Sequence, residues 1–192
     1  MLPRPSTPEA VLDHIAPGAD LIVPLANGEP RSLVATIDAH ADSLTDVRVH
    51  QMHALHDHPY LHGVHGDRLR HVSYFLSPVT RPAFWNGGCE LVPAHFSEMP
   101  LLLQRETRHS LVLAAASPPD RHGYVSLGTN ADYVARFIGE VPFFIEVNPQ
   151  MPRTFGENSL HLSQVVGWTE VDAPLVETPP PAISEQIGRA HV

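Results

Sequence analysis

Apolar residues along this chain fall into short runs divided by clusters of Pro, Gly and small polar residues. The runs are Leu21–Leu25, Val47–Met52, Val72–Leu76, Leu91–Phe96, Leu111–Ala116 and Phe143–Val147. Several are continuous rather than alternating, which marks strands covered on both faces, as in a parallel sheet. Pro24 has no amide to donate, so the first run is predicted to be an edge strand or to end early. Between the runs the period turns helical. Thr7 to Ile15 reads as a short helix, with Thr7 as N-cap and Pro8 at its first position. A second helix is predicted from about Pro30 to Leu44, with Leu33, Val34, Ile37, Ala41 and Leu44 on one face. A third is predicted over Ala131 to Ile138. Strands alternating with helices predict an α/β domain, a mainly parallel sheet flanked by helices.

The pattern changes near the C-terminus. Residues 1–171 read as one domain. Asp172 to Ala182 is proline-rich and is predicted to run extended with little core of its own. Ile183 to Val192 then looks like the first turns of a helix. A linker leading into so short a helix raises the expectation that a C-terminal domain is missing.

Composition narrows the classes. A length of 192 residues suits one domain with a real core. The net charge is -9 and all 12 basic residues are Arg. This acidic balance argues against nonspecific nucleic-acid or anionic-membrane binding. No apolar run approaches the roughly 20 residues of a membrane-spanning helix. The N-terminal residues show no apolar signal region, and a single cysteine, Cys89, excludes an internal disulfide framework. Both features give the expectation of a cytoplasmic protein. Cys89 itself reads as a small, partly buried residue without a redox role.

Two segments carry the most information. Ser117-Pro-Pro-Asp-x-x-Gly-Tyr-x-Ser-Leu-Gly128 and Val147-Asn-Pro-x-Met-Pro-Arg-Thr-x-Gly156 each follow an apolar run where a strand must stop and turn. In open α/β sheets ligands bind just beyond such carboxyl ends. Both segments resemble the acetyl-CoA hydrolase/transferase family, which includes 4-hydroxybutyrate CoA-transferase and related acyl-CoA:carboxylate CoA-transferases. Phe84-x-x-Gly-Gly88, Pro93-x-x-x-Ser-Glu-Met-Pro100, Pro179-Pro-Pro181 and Ile187-Gly-Arg-x-His-Val192 also look like the family pattern. Two departures stand out: Val23 to Pro30 is poorer in glycine than the family's first strand-loop, and His50 to His71 is unusually rich in histidine.

The resemblance implies a chemistry. A glutamate carboxylate attacks the acyl-CoA thioester and forms an anhydride. The CoA thiolate returns to give a glutamyl-CoA thioester, and an acceptor carboxylate reverses the sequence. Such covalent catalysis divides one difficult transfer into easier steps. In the family that glutamate lies in the second half, so none of the catalytic residues is assigned to this chain, and the chain alone is expected to be inactive. The implied partners are an acyl-CoA, a small carboxylate and the missing C-terminal domain. Coenzyme A enters as substrate, no separate cofactor or metal is implied, and a homo-oligomer stays open.

Candidate substrate-binding residues lie in two turns. Asn27, Gly28, Glu29 and Pro30 lead from a strand into a helix, whose amides and N-terminus suit a thioester or carboxylate. An ordinary βα turn explains them equally well. Met151, Pro152, Arg153 and Thr154 form the second group. Arg153 suits a carboxylate or phosphate, or else an ion pair with an acidic neighbour. Met151 and Pro152 suit packing against the absent half. Ser117 to Asp120 reads first as a rigid turn, and no Gly-x-Ser-x-Gly elbow supports a hydrolase triad.

The histidines at 50, 53, 56, 58, 62, 65 and 71 raise a metal-binding reading through His53-x-x-His56-x-His58. Without Cys partners or a His-Glu-x-x-His helix, the default is a solvent-facing polar loop. Two rivals to the enzyme reading therefore remain: a free-standing module that binds CoA or a protein, and a histidine-rich metal binder.

Overall fold

The structure is a computed structural model that describes residues 4–177. Its centre is a seven-stranded sheet in which every neighbouring pair is parallel. The strands are β1 (Asp20–Val23), β2 (Val47–Gln51), β3 (Leu69–Ser73), β4 (Cys89–Leu91), β5 (Leu111–Ala116), β7 (Phe143–Val147) and β9 (Gly167–Glu170). Their order across the sheet is β4-β3-β2-β1-β5-β7-β9. A small antiparallel ribbon joins β6 (Tyr124–Ser126) to β8 (Ser159–His161). The α-helices are α1 (Arg31–Ala39), α2 (Thr80–Trp85) and α3 (Met99–Glu106). No described helix is long and apolar enough to cross a membrane.

Side chains alternate between the two faces of each strand, so each strand feeds two cores. On one face Leu21, Val23, Val49, Leu113 and Phe144 pack against Leu33, Val34 and Ile37 of α1. On the other, Ile22, Val112, Ala114 and Ile145 pack against Met99 and Leu103 of α3 and against Tyr133, Val134 and Phe137. All six residues of β5 are buried. Burial on both faces is why these strands read as continuous apolar runs rather than alternating ones.

Several expectations are corrected. Of the two alternatives for β1, the edge is wrong and the early end is right: it lies at the heart of the sheet and stops at Val23, immediately before Pro24. The proline is tolerated because the strand is already over. β3 begins earlier than the apolar run, at Leu69, because Arg70 and His71 continue the ladder with β2. β4 is likewise displaced to Cys89–Leu91, and Pro93 lies beyond it. The first and third predicted helices are 3-10 turns, Pro8–His14 and Tyr133–Phe137, and Thr7 makes no side-chain cap bond. α1 ends at Ala39, but Ala41 and Leu44 still face the core through a following 3-10 turn. The histidine stretch is no solvent-facing loop: His50 and His71 are buried on β2 and β3. Residues 171–177 have no regular secondary structure, and the rest of the expected linker and the helix expected from Ile183 lie outside the described residues.

Candidate functional site

β1 and β5 are neighbours, yet their onward connections go to opposite faces. β1 leads to α1 on one face, whereas β5 leads toward Tyr133–Phe137 on the other. The chain therefore parts at the carboxyl ends of these two strands, the position at which open α/β sheets bind ligands. Both sequence motifs border it.

The turn after β1 is fixed at nearly every residue by a different element. Leu25 N donates to Asp132 Oδ2 at 2.9 Å, and Ala26 N donates to His53 O at 3.1 Å. Ala26 is held at φ 52°, a left-handed conformation that a side chain disfavours. A Cβ on Gly28 would lie 2.6 Å from both Asn130 and Pro24, so only glycine fits there. Tyr133 joins the ends of β1 and β2, since its hydroxyl donates to Val23 O and accepts from Met52 N.

Glu29 is the charged centre of this turn, and its side chain is fully buried. It accepts from Gln51 Nε2 at 2.7 Å, His56 Nδ1 at 3.0 Å and His58 Nε2 at 3.0 Å. Burial alone would raise its pKa, but the bonds from His56, His58 and Gln51 outweigh it and hold the carboxyl at about 2. Other histidines of the stretch also meet carboxylates: His50 with Asp20, His62 with Asp57 and His65 with Asp38. Burial beside His50 pushes His71 down to about 3. Among the described residues no three His, Cys, Asp or Glu side chains are placed to hold a metal ion.

The N-terminus of α1 already holds an anion belonging to the protein. Glu146 Oε2, projecting from β7, accepts from Ser32 N at 2.8 Å, from Leu33 N at 3.3 Å and from the Ser32 hydroxyl. Burial raises the Glu146 pKa, opposed by these bonds. The helix amides that sequence reasoning offered to a substrate are thus occupied. Burial also lifts Asp132 to about 7, against the amides of Val134 and Leu25 that it accepts from.

The second motif pair forms one unit. Arg153 Nη2 donates to Tyr124 O at 2.7 Å and Pro118 O at 2.9 Å. It bonds backbone carbonyls, whereas the sequence suggested an acidic neighbour. Thr154 Oγ1 donates to Gly128 O at 2.7 Å and accepts from Asn158 Nδ2 at 2.7 Å. Met151 is buried against Gly128, and Pro152 O lies 3.0 Å from where a Gly128 Cβ would stand. Thr129 Oγ1 contacts the Met151 sulfur, while Asn130 abuts Gly28. The 3-10 turn Gly128–Asn130 is therefore wedged between the two candidate groups and brings them to one rim.

The outgoing chain crosses the same rim. Asn148 Nδ2 donates to Ala173 O at 2.8 Å, and Gln150 Nε2 donates to Asp172 Oδ1 at 2.9 Å. Asn27 then grips Val176 at both backbone groups, donating to its carbonyl at 3.0 Å and accepting from its amide at 2.8 Å. From β9 the chain passes β7 and returns to the turn after β1. Asn27 is thereby engaged by the chain itself.

Sequence reasoning missed Gln51, Asp132, Tyr133 and Glu146. Glu146 carried a signal, a lone acid inside the apolar run Phe143–Val147. Such an acid requires a partner, and the start of a helix supplies it.

Comparison with known proteins agrees with this architecture. The profile described as Acetyl-CoA hydrolase/transferase N-terminal domain matches residues 4–177. The succinyl-CoA:cyclohexane-1-carboxylate CoA transferase of Geobacter metallireducens is 32% identical, over 89% of this chain and 40% of that protein. The 4-hydroxybutyrate coenzyme A transferase of Clostridium kluyveri is 29% identical, over 93% of this chain and 42% of that protein. RipA from Yersinia pestis superposes with a TM-score of 0.82 at 29% identity, over 93% of this chain and 44% of its own. The chain spans about two fifths of the length of the curated relatives it matches. By its residue pattern, its fold and this match, the chain belongs to the acetyl-CoA hydrolase/transferase family, where it corresponds to the N-terminal domain.

Proposed function

We propose that this chain is the N-terminal half of an acyl-CoA:carboxylate CoA-transferase or acetyl-CoA hydrolase, with acyl-CoA and a small carboxylate as substrates. The observations that carry this reading are the parting of the chain at the carboxyl ends of β1 and β5 and the match of this domain to the N-terminal part of its CoA-transferase relatives. Glu29, Asp132 and Glu146, which meet the turn after β1 and the start of α1, have their carboxylates already bonded inside the protein. The attacking glutamate is then supplied by a second half. Its oxygen adds to the thioester carbonyl and CoA leaves as thiolate. The thiolate returns to the glutamyl carbonyl of the anhydride and releases the acyl group as carboxylate. An acceptor carboxylate completes transfer by the reverse steps, whereas water in its place gives hydrolysis.

This chain's part is to orient and to exclude water. The turns Asn27–Pro30 and Met151–Thr154 form the substrate-facing wall through their backbone, since Glu29, Arg153 and Asn27 use their side chains internally. A fixed wall holds the thioester in reach of the nucleophile without reorganisation during reaction.

The test is a transfer assay with acetyl-CoA and a labelled carboxylate. The 192-residue chain alone is expected to show no turnover. Co-expressed with a C-terminal half carrying the glutamate, it is expected to show turnover. Borohydride is expected to abolish that activity only after acyl-CoA is added, because it reduces the enzyme thioester. Turnover by the chain alone would overturn the reading, as would acyl-CoA binding that never supports turnover with the second half.

A further inference from the structure

We propose that Glu29 is a positioning residue that fastens the loop after β2 to the turn after β1, so that the two move as one wall. The inference rests on the proposed acyl-transfer role only where turnover is concerned.

Residues 52–58 have no helix or strand, and only Met52 and Ala54 among them are buried. Apolar packing therefore does little to hold the loop. Polar bonds hold it instead. Met52 N is taken by the Tyr133 hydroxyl and His53 O by Ala26 N. His56 and His58 then converge on one oxygen, Glu29 Oε1, while Gln51 donates to the other. Beyond the loop, Asp38 of α1 repeats the device, accepting from Tyr60 N at 3.0 Å and from His65 Nε2 at 2.7 Å. The histidine-rich stretch thus supplies donors to carboxylates of the α1 layer.

Direction matters in this arrangement. Glu29 lies in the turn, and its donors lie in β2 and its loop, so the carboxylate ties two separate exits of the sheet. A buried carboxylate is tolerated only when paired, and its removal leaves imidazole donors facing no acceptor. Glu29 has no exposed surface to offer a substrate. Its influence on chemistry runs through the position of residues 53–58.

Hydrogen exchange of the 192-residue chain tests this directly. Glu29→Ala is expected to speed exchange of the Ala26 and Leu61 amides, which donate to His53 O and His58 O, by at least about tenfold relative to β5 and β7, the ratio that loss of roughly 1.4 kcal/mol produces. His56→Ala/His58→Ala is expected to do the same, and the triple variant to add less than twofold. If Glu29→Ala does not fold, Glu29→Gln is read by the same criterion. Exchange within twofold of the native chain, or effects that simply add, would overturn the proposal.

A second reading separates positioning from plain destabilisation. With the C-terminal half present, Glu29→Gln is expected to raise the KM for acetyl-CoA severalfold. The core control Leu113→Ala, matched for lost stability, is expected to leave it unchanged. Equal shifts in both variants would also overturn the proposal. Absence of turnover in every form would defeat the functional reading and leave the exchange result to decide this one.

Discussion

Gly128 stands so close to Met151 that a Cβ on it would lie 2.2 Å from the sulfur, and its φ of 65° is one that side chains disfavour. This contact joins the two motifs after β5 and β7. Gly128→Ala is therefore expected to incur both overpacking and backbone strain, together about 3 kcal/mol. Urea unfolding checks it. A loss under about 1 kcal/mol would mean that the Met151 side chain moves aside freely.

Asp132 and His71 oppose one another in acid. Asp132, ordinarily at 3.8, sits at about 7, so its contribution is full below 3.8 and is lost as pH rises through 7. His71, ordinarily at 6.5, sits at about 3, so its contribution is full above 6.5 and is lost as pH falls through 3. Between 3.8 and 6.5 the folded chain holds one proton more at Asp132 and one fewer at His71, and the two slopes cancel. Asp132→Asn is expected to unmask the histidine, with stability falling by about 1.4 kcal/mol per pH unit on acidification across that window. Denaturation midpoints at four pH values would show it, and a flat profile in the variant would contradict it.

The grip of Asn27 on Val176 makes a prediction about the outgoing chain. Asn27→Ala is expected to speed proteolytic cleavage within residues 172–177 by about tenfold, the consequence of losing roughly 1–2 kcal/mol of local hydrogen bonding. Asn148→Ala is expected to act similarly through Ala173. Equal cleavage in native and variant chains would show that this segment is held by other contacts.

Cys89 is predicted to be unreactive. Burial lifts its thiol to about 11, so little thiolate exists near neutrality. Labelling by a thiol-specific disulfide reagent is expected to be slow in the folded chain and fast in guanidinium. Rapid labelling of the native form would refute the burial of this residue.

The sequence makes β5 and β7 legible because both are buried on two faces and contain almost nothing polar. β3 and β4 were displaced because Arg70, His71 and Glu90 continue ladders that hydropathy does not register. β6, β8 and β9 are three or four residues long, too short for a period to show. The two candidate turns were found through Gly, Pro and Asn chemistry, which is local. What their side chains bind was not legible, because the partners lie far along the chain: Glu29 with His56 and His58, Asn27 with Val176, and Arg153 with Pro118 and Tyr124. The histidine loop was misread for the same reason, since its carboxylates belong to neighbouring elements.

The strand order also bears on how the polypeptide matures during synthesis. β1 to β4 form one side of the sheet, growing outward from β1, and β5, β7 and β9 form the other. A ribosome-bound chain that has released only β4 has its future central strand as an unpaired edge, waiting for Leu111 and Val112 to arrive. An apolar edge of that kind invites pairing with other nascent chains. Asp20 at its start already pairs with Arg48 of β2, and Pro24 removes a donor only past its end, so neither blocks that edge. The innermost strand of the finished sheet is thus an outer edge for part of its own synthesis.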